Sequence, residues 1–184
     1  MIIYYIEILI LSLVQGFFEF IPVSSSAHLI LISKISEFNF RSLEVDISLH
    51  LGSLLAILFY FRKDFANILD NKNLLSLIFF GSIPLVLAGY FLYTTNLIEH
   101  LREIKIIAWT TLIFGILLYI SDRFKVENSI EKNLTLKNIL LIGFLQILSL
   151  IPGVSRSGII ITAGRFLNFN RIDSAKISFY LSIP

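Results

Sequence analysis

Apolar residues run along this chain in long blocks, and the charged residues fall mostly between them. A bilayer's hydrocarbon core is about 30 Å thick and takes roughly 20 apolar residues in helix to cross. Residues 74–93 meet that length without a charge. Residues 45–61 are slightly shorter, with Asp46 and His50 near the start and Arg62, Lys63 and Asp64 closing the run. A third block, 104–120, carries only Lys105. Two further stretches are apolar but interrupted. Residues 1–33 contain Gly16, Glu19, Pro22 and a serine run, and residues 139–164 contain Pro152, Gly153 and Arg156. A last apolar segment, 175–184, stops at Pro184 in mid-run, which predicts a truncated final span. The pattern predicts a single all-α transmembrane domain over 1–184.

Composition agrees with that reading. Hydrophobic residues make up 56% of the chain and charged ones 15%, whereas a soluble domain carries about a quarter charged residues. The net charge of +2 and the scatter of the 15 basic residues exclude a nucleic-acid partner and leave membrane lipids as the surroundings. Cysteine is absent, so there is no disulfide framework and no thiolate metal site. The N-terminus lacks the basic region and small-residue cleavage site of a signal peptide. Loops 62–73 and 121–138 together hold seven basic residues, and loops 34–46 and 94–105 hold four. The positive-inside rule then puts the first pair in the cytoplasm.

The two interrupted stretches resemble each other. Each has a glutamine (Gln15, Gln146), then Ile-Pro, then Val-Ser-x-Ser and a small residue. Broken apolar segments at corresponding places in two halves point to a midplane site built from discontinuous helices. The expected fold is therefore an inverted repeat with two broken, re-entrant helix pairs.

Glu19 is a carboxylate in an apolar run, one helical turn after Gln15, and such groups are costly without a purpose. Ser24, Ser25 and Ser26 follow Pro22, where a new helix would present free N–H groups to an anion. His28 stands three residues after Ser25 and four after Ser24, so on a helix it could reach either hydroxyl and activate it. Arg156 lies among Ser155, Ser157, Gly153 and Gly158, where its planar donor fork suits phosphate oxygens. His50 and His100 read as ordinary interfacial residues, and Glu44 and Asp46 as solvated. One carboxylate, serines with a histidine, and one arginine suit phosphoryl chemistry on a substrate with an apolar tail. A divalent cation, Mg²⁺ or Ca²⁺, could join Glu19 in holding phosphate oxygens, with Gln15 as a further candidate ligand.

At these residues the chain resembles a known family. Gln15-x-x-x-Glu19 followed by Pro22-Val-Ser-Ser-Ser-x-His28 is similar to the first signature of the bacterial undecaprenyl-diphosphate phosphatases, the bacitracin-resistance proteins. Pro152-Gly-x-Ser-Arg-Ser157 is similar to their second. The resemblance implies a multi-pass hydrolase of the bacterial inner membrane. It would remove the terminal phosphate of undecaprenyl diphosphate, recycling the carrier for peptidoglycan synthesis and conferring bacitracin resistance. By position it implies Glu19 and Gln15 as the acidic motif, Ser25 as nucleophile, His28 as its base and Arg156 as phosphate clamp. Ser24, Ser26, Gly153, Ser155 and Ser157 would bind substrate. One departure is Ile160, where the family has threonine; restoring that hydroxyl is expected to raise activity. The absence of any histidine after His100 excludes the histidine-nucleophile mechanism of another class of lipid phosphatases.

Two other readings stay open at this point: an inverted-repeat transporter or lipid carrier, and an inactive truncated fragment. A homodimer also stays open. The orientation of the loops predicts a site that opens to the periplasmic side.

Overall fold

The first apolar block folds as two helices, not one. The computed structural model describes residues 2–38, 42–95 and 99–182; Arg41 and Pro184, used above, lie outside them. Helix α1 (Ile2–Phe18) stops before a turn that holds Glu19 and Pro22, and α2 (Ser25–Ile35) restarts with Ser24 as its N-cap. The Ala27 N–H donates to Ser24 Oγ at 3.3 Å, satisfying one of the donors a helix start leaves free. The second interrupted block does the same. The helix Leu136–Gln146 leads through a 3₁₀ turn (Ile147–Leu150) to a break at Pro152, and a new helix is capped by Ser155, whose Oγ accepts from Gly158 N at 3.1 Å.

Between these blocks lie α3 (Leu43–Tyr60), α4 (Arg62–Asp70), α5 (Lys72–Thr94) and α6 (Ile104–Ser121), and after them α7 (Ile130–Asn133), α8 (Leu136–Gln146), α9 (Arg156–Phe166) and α10 (Arg171–Leu181). Helices α5 and α6 are long and apolar enough to cross a membrane. No strand forms among the described residues, only an isolated bridge between Asn128 and Phe169. The charged run 62–73, read as a loop, is instead helical. Phe65, Ile68 and Leu69 recur at helical spacing, Ile68 is buried, and Phe65 packs on Phe179 with ring centroids 5.5 Å apart.

The main core joins α5, α8, α9 and α10 through Leu77, Ile139, Ile142, Ile160, Ile177 and Leu181. A smaller cluster of Ala27, Ile30 and Ile107 seats α2 against α6. Outside these cores, large apolar side chains stand exposed: Ile3, Leu13, Phe79, Leu87, Trp109 and Ile116 among them. Water would not tolerate that much apolar surface on a monomer, and lipid would.

The region 121–138 is tied down through main-chain groups. Arg165 is buried and donates to the carbonyls of Phe169, Asp122 and Phe124 at 2.6, 2.9 and 2.7 Å. Arg171 makes two hydrogen bonds to the Asp122 carboxylate, and this contact holds the Asp122 carboxyl below its ordinary pKa. Asp46, expected in solvent, is buried and pairs with Arg102 at 3.7 Å. An apolar helix end is a poor place for a lone carboxylate, so the partner accounts for its burial.

Helices α5 and α8 meet backbone to backbone at Gly81 and Gly143. A Cβ on Gly143 would overlap the Gly81 carbonyl, and one on Gly81 would lie 2.8 Å from Ile139 Cγ1. Gly143→Ala should therefore force these helices apart and cost about 1–3 kcal/mol. Gly115→Ala, in a helix position with nothing within 4 Å, should be neutral or slightly stabilising. Thermal unfolding in detergent compares the two; equal midpoints would contradict the close contact.

Candidate active site

Glu19 is the hub of the polar groups. It sits on the turn after α1, and its side chain is mostly buried. Ser25, the first residue of α2, donates its hydroxyl to Glu19 Oε2 at 2.6 Å, a distance typical of an O–H donor on a carboxylate. Gln15 donates its amide nitrogen to the same oxygen at 2.8 Å. That nitrogen is also 2.8 Å from His50 Nδ1 and 3.2 Å from Ser53 Oγ, both on α3. His50 Nδ1 lies 3.5 Å from Glu19 Oε2. From the other half, Arg156 Nη2 is 3.9 Å from Glu19 Oε1, its one polar contact among the described residues. Its side chain is 42% exposed, so it keeps donors free for a ligand.

These groups open into one cavity of about 550 Å³. Glu19, Ser24, Ser25, Ser26, Ser155, Arg156 and Ser157 all line it. The starts of α2 and α9 therefore face the same space, and each brings unpaired N–H groups and a positive dipole end to it. The two starts are built alike. Ser24 Oγ and Ser26 Oγ are 3.1 Å apart, as are Ser155 Oγ and Ser157 Oγ. Apolar side chains, Ile57, Leu85, Leu150, Ile161 and Phe179 among them, also line the cavity. Such a space suits an anion joined to an apolar tail.

Several sequence expectations are placed differently. His28 does not reach Ser25 or Ser24 Oγ. Its Nδ1 is 2.7 Å from the Ser24 carbonyl, and its ring stacks on Phe18 with centroids 3.8 Å apart. The backbone carbonyl one turn earlier is simply the nearer acceptor. His50, expected to be an ordinary interfacial residue, lines the cavity instead. Its only sequence signal was a histidine inside an apolar block, and the fold supplies the rest by laying α3 along α1. Gln15 is buried and places its amide nitrogen on Glu19.

Gly153 is not on the cavity lining. It adopts a φ of 96°, and any Cβ would strike Thr110 Oγ1 of α6. Thr110 donates to the Pro152 carbonyl at 2.7 Å and Thr111 to the Gly153 carbonyl at 3.3 Å. The glycine lets α6 clasp the loop, and the clasp aims Arg156. Ile160 is fully buried in the main core, and its neighbour Ile161 faces the cavity. Thr162 donates to the Gly158 carbonyl at 2.7 Å and is equally unavailable to a ligand.

A model of the family described as bacitracin resistance protein BacA matches residues 8–184. Proteins named undecaprenyl-diphosphatase are similar over nearly the whole chain. That of Pelagibacter ubique is 59% identical over 180 residues, which cover 97% of this chain and 70% of that protein. Those of Hahella chejuensis and Campylobacter curvus are 42% and 41% identical, covering 98% and 97% of this chain and 72% of each relative.

The burial of Ile160 reverses the expectation for its substitution. Ile160→Thr should not raise turnover. It should lower stability by roughly 1–2 kcal/mol, because a methyl group leaves the core and a hydroxyl enters it. Turnover measured alongside the unfolding midpoint tests this; faster turnover at unchanged stability would show that position 160 reaches the ligand.

Proposed function

The chain belongs to the bacitracin resistance protein family, and from that premise we propose how its cavity acts on a lipid diphosphate. The reaction is hydrolysis of undecaprenyl diphosphate to undecaprenyl phosphate and inorganic phosphate. It returns the carrier to peptidoglycan synthesis and removes the diphosphate form that bacitracin binds. One observation carries the mechanism: the Ser25 hydroxyl is held 2.6 Å from Glu19 in a cavity that Arg156 and two helix starts also face.

Ser25 Oγ attacks the terminal phosphorus while Glu19 takes its proton. The bridging P–O bond breaks, and its electron pair leaves with the lipid monophosphate, which Glu19 then protonates. Glu19 next deprotonates a water that attacks the phosphoserine; the Oγ–P bond breaks, inorganic phosphate leaves, and Glu19 returns the proton to Ser25 Oγ. Arg156 and the N–H groups of α2 and α9 hold the equatorial oxygens as charge develops. Ser24, Ser26, Ser155 and Ser157 shape those helix starts. His28 fixes the turn through Ser24, and His50 with Gln15 fixes Glu19.

A divalent cation, Mg²⁺ or Ca²⁺, fits this donor set as an ion carried by the substrate. Among the described residues no group of three or more His, Cys, Asp or Glu side chains forms a cage. Glu19 Oε1, with only the 3.9 Å contact to Arg156, is the oxygen that would hold it. Mg²⁺ commonly binds through one or two carboxylates plus substrate phosphates. The ion would supply neutralisation of the diphosphate charge.

The reading extends to the whole architecture: an inverted repeat of two re-entrant pairs in the bacterial plasma membrane. It is supported by a shared interval that separates Gln15 from Gln146, Ser24 from Ser155, and Glu37 from Asn168. Glu37 and Asn168 both take positive φ, 51° and 63°, at the ends of α2 and α9. Phe38 N donates to Ser33 O, and Phe169 N to Gly164 O, each at 3.0 Å. The excess of basic residues in 62–73 and 121–138 supports a cavity open to the periplasmic side.

Arg156→Ala should lower phosphate release from undecaprenyl diphosphate by at least about a hundredfold. The unfolding midpoint should hold, since the side chain is 42% exposed and its polar contact is the 3.9 Å one to Glu19. Near-normal release by this variant would remove Arg156 from the reaction.

Orientation is read by single thiols, because the chain has no cysteine of its own. In cells with a permeabilised outer barrier, a membrane-impermeant thiol reagent should label Glu37→Cys and spare Asp70→Cys. The opposite pattern would invert the topology.

A further inference from the structure

A diphosphate has two phosphates, and the groups above account for one. The cavity continues past Ser25 and Arg156 to Ser149 on the 3₁₀ turn and to Ser178 and Ser182 on α10. We propose that Ser178, assisted by Ser149, forms a second phosphate subsite that binds the phosphate retained on the lipid. This inference rests on the phosphatase reading and adds to it the group that recognises the leaving half of the substrate.

The case starts from an unsatisfied hydroxyl. Serines inside helices of this chain usually donate back to a carbonyl one turn earlier. Ser53 does so to Leu49, Ser82 to Ile78, and Ser182 to Phe179, at 3.1, 2.9 and 2.7 Å. Ser178 does not. It is 93% buried, with 7% of its surface exposed, and it has no hydrogen-bond partner among the described residues. Its remaining exposure is toward the cavity it lines. Ser149 lines the same wall, also without a hydrogen-bond partner among the described residues. Ser178 is a buried residue and Ser149 a half-buried one, and two hydroxyls on one cavity wall without an internal acceptor are placed to donate to a ligand.

Register supports the same assignment. Ser178 is the eighth residue of α10, as His50 is the eighth of α3. Both helices follow a re-entrant pair, and both residues line the cavity. His50 is drawn into the Gln15–Glu19 group. No carboxylate stands beside Ser178 on the lining, so its hydroxyl is free to donate to an anion. The same lining includes the apolar side chains of Leu85, Leu150 and Phe179, which suit the first carbons of a prenyl chain attached to the retained phosphate. As the bridging bond breaks, negative charge accumulates on that phosphate, and a hydroxyl donor there gains strength in the transition state.

Two inhibitors separate the subsites. Inorganic phosphate occupies the site at Ser25 and Arg156, whereas farnesyl monophosphate seats its single phosphate at the site of the retained phosphate. In the full chain hydrolysing undecaprenyl diphosphate, Ser178→Ala should weaken inhibition by farnesyl monophosphate about tenfold and leave inhibition by inorganic phosphate unchanged. Ser149→Ala should show the same selectivity with a smaller change. Unchanged inhibition by farnesyl monophosphate in both variants would overturn the subsite, and so would equal weakening of both inhibitors. If the unsubstituted chain releases no phosphate from the lipid diphosphate, the phosphatase reading fails first, and the subsite falls with it.

Discussion

One carboxylate in an apolar chain organises the cavity. Glu19 cannot sit among hydrocarbon as a bare charge, because burying it without partners would cost several kcal/mol or shift it to its neutral form. Its partners come from four helices: Gln15 on α1, Ser25 on α2, His50 on α3 and Arg156 on α9. The demand for hydrogen bonds at one atom thus fixes where α1 ends, how α2 restarts and which face α3 presents. The same bonds that stabilise the charge align the serine beside it. Stability and reactivity here share a set of contacts, so a substitution at Gln15 or His50 disturbs both.

Long apolar blocks made α5 and α6 legible, because length alone distinguishes them. The short helix α4 was hidden by its flanking charges, although Phe65, Ile68 and Leu69 carry the helical spacing. At the site, local pattern showed Glu19, Ser25 and Arg156, each anomalous in an apolar or glycine-rich setting. It did not place the histidines. Spacing favoured His28 as Ser25's neighbour, yet the Ser24 carbonyl captures it. His50 is 35 residues from Gln15, and no local pattern reports a contact across that separation. Ile160 and Ile161 differ by one position and face core and cavity respectively; a helix's rotation about its axis is set by packing and is not written in a motif.

The two halves use one local design for different ends. An N-cap serine, a neighbour at the next position and a second serine open both α2 and α9. The neighbour is Ser25 in the first half and Arg156 in the second. A hydroxyl and a guanidinium thus occupy equivalent places. The glutamines diverge in parallel. Gln15 is engaged by Glu19, His50 and Ser53, while Gln146 is fully buried with neither amide atom hydrogen-bonded among the described residues. An inherited polar residue has kept its position in the half where its charged partner is absent: Leu150 stands in the second half where Glu19 stands in the first.

The glycine contact between α5 and α8 has a mechanical consequence. Side chains normally act as compliant spacers between helices, letting them rotate or slide by small steps. At Gly81 and Gly143 that cushion is missing, and main chain bears directly on main chain. The joint is stiff in both directions, and it lies on the two helical segments that carry Leu85 and lead to Leu150 on the cavity wall. That wall behaves as an anvil. Whatever yielding a bulky lipid tail requires falls to the opposite side, where α1 to α3 are joined by side chains whose bonds can lengthen, rotate and re-form.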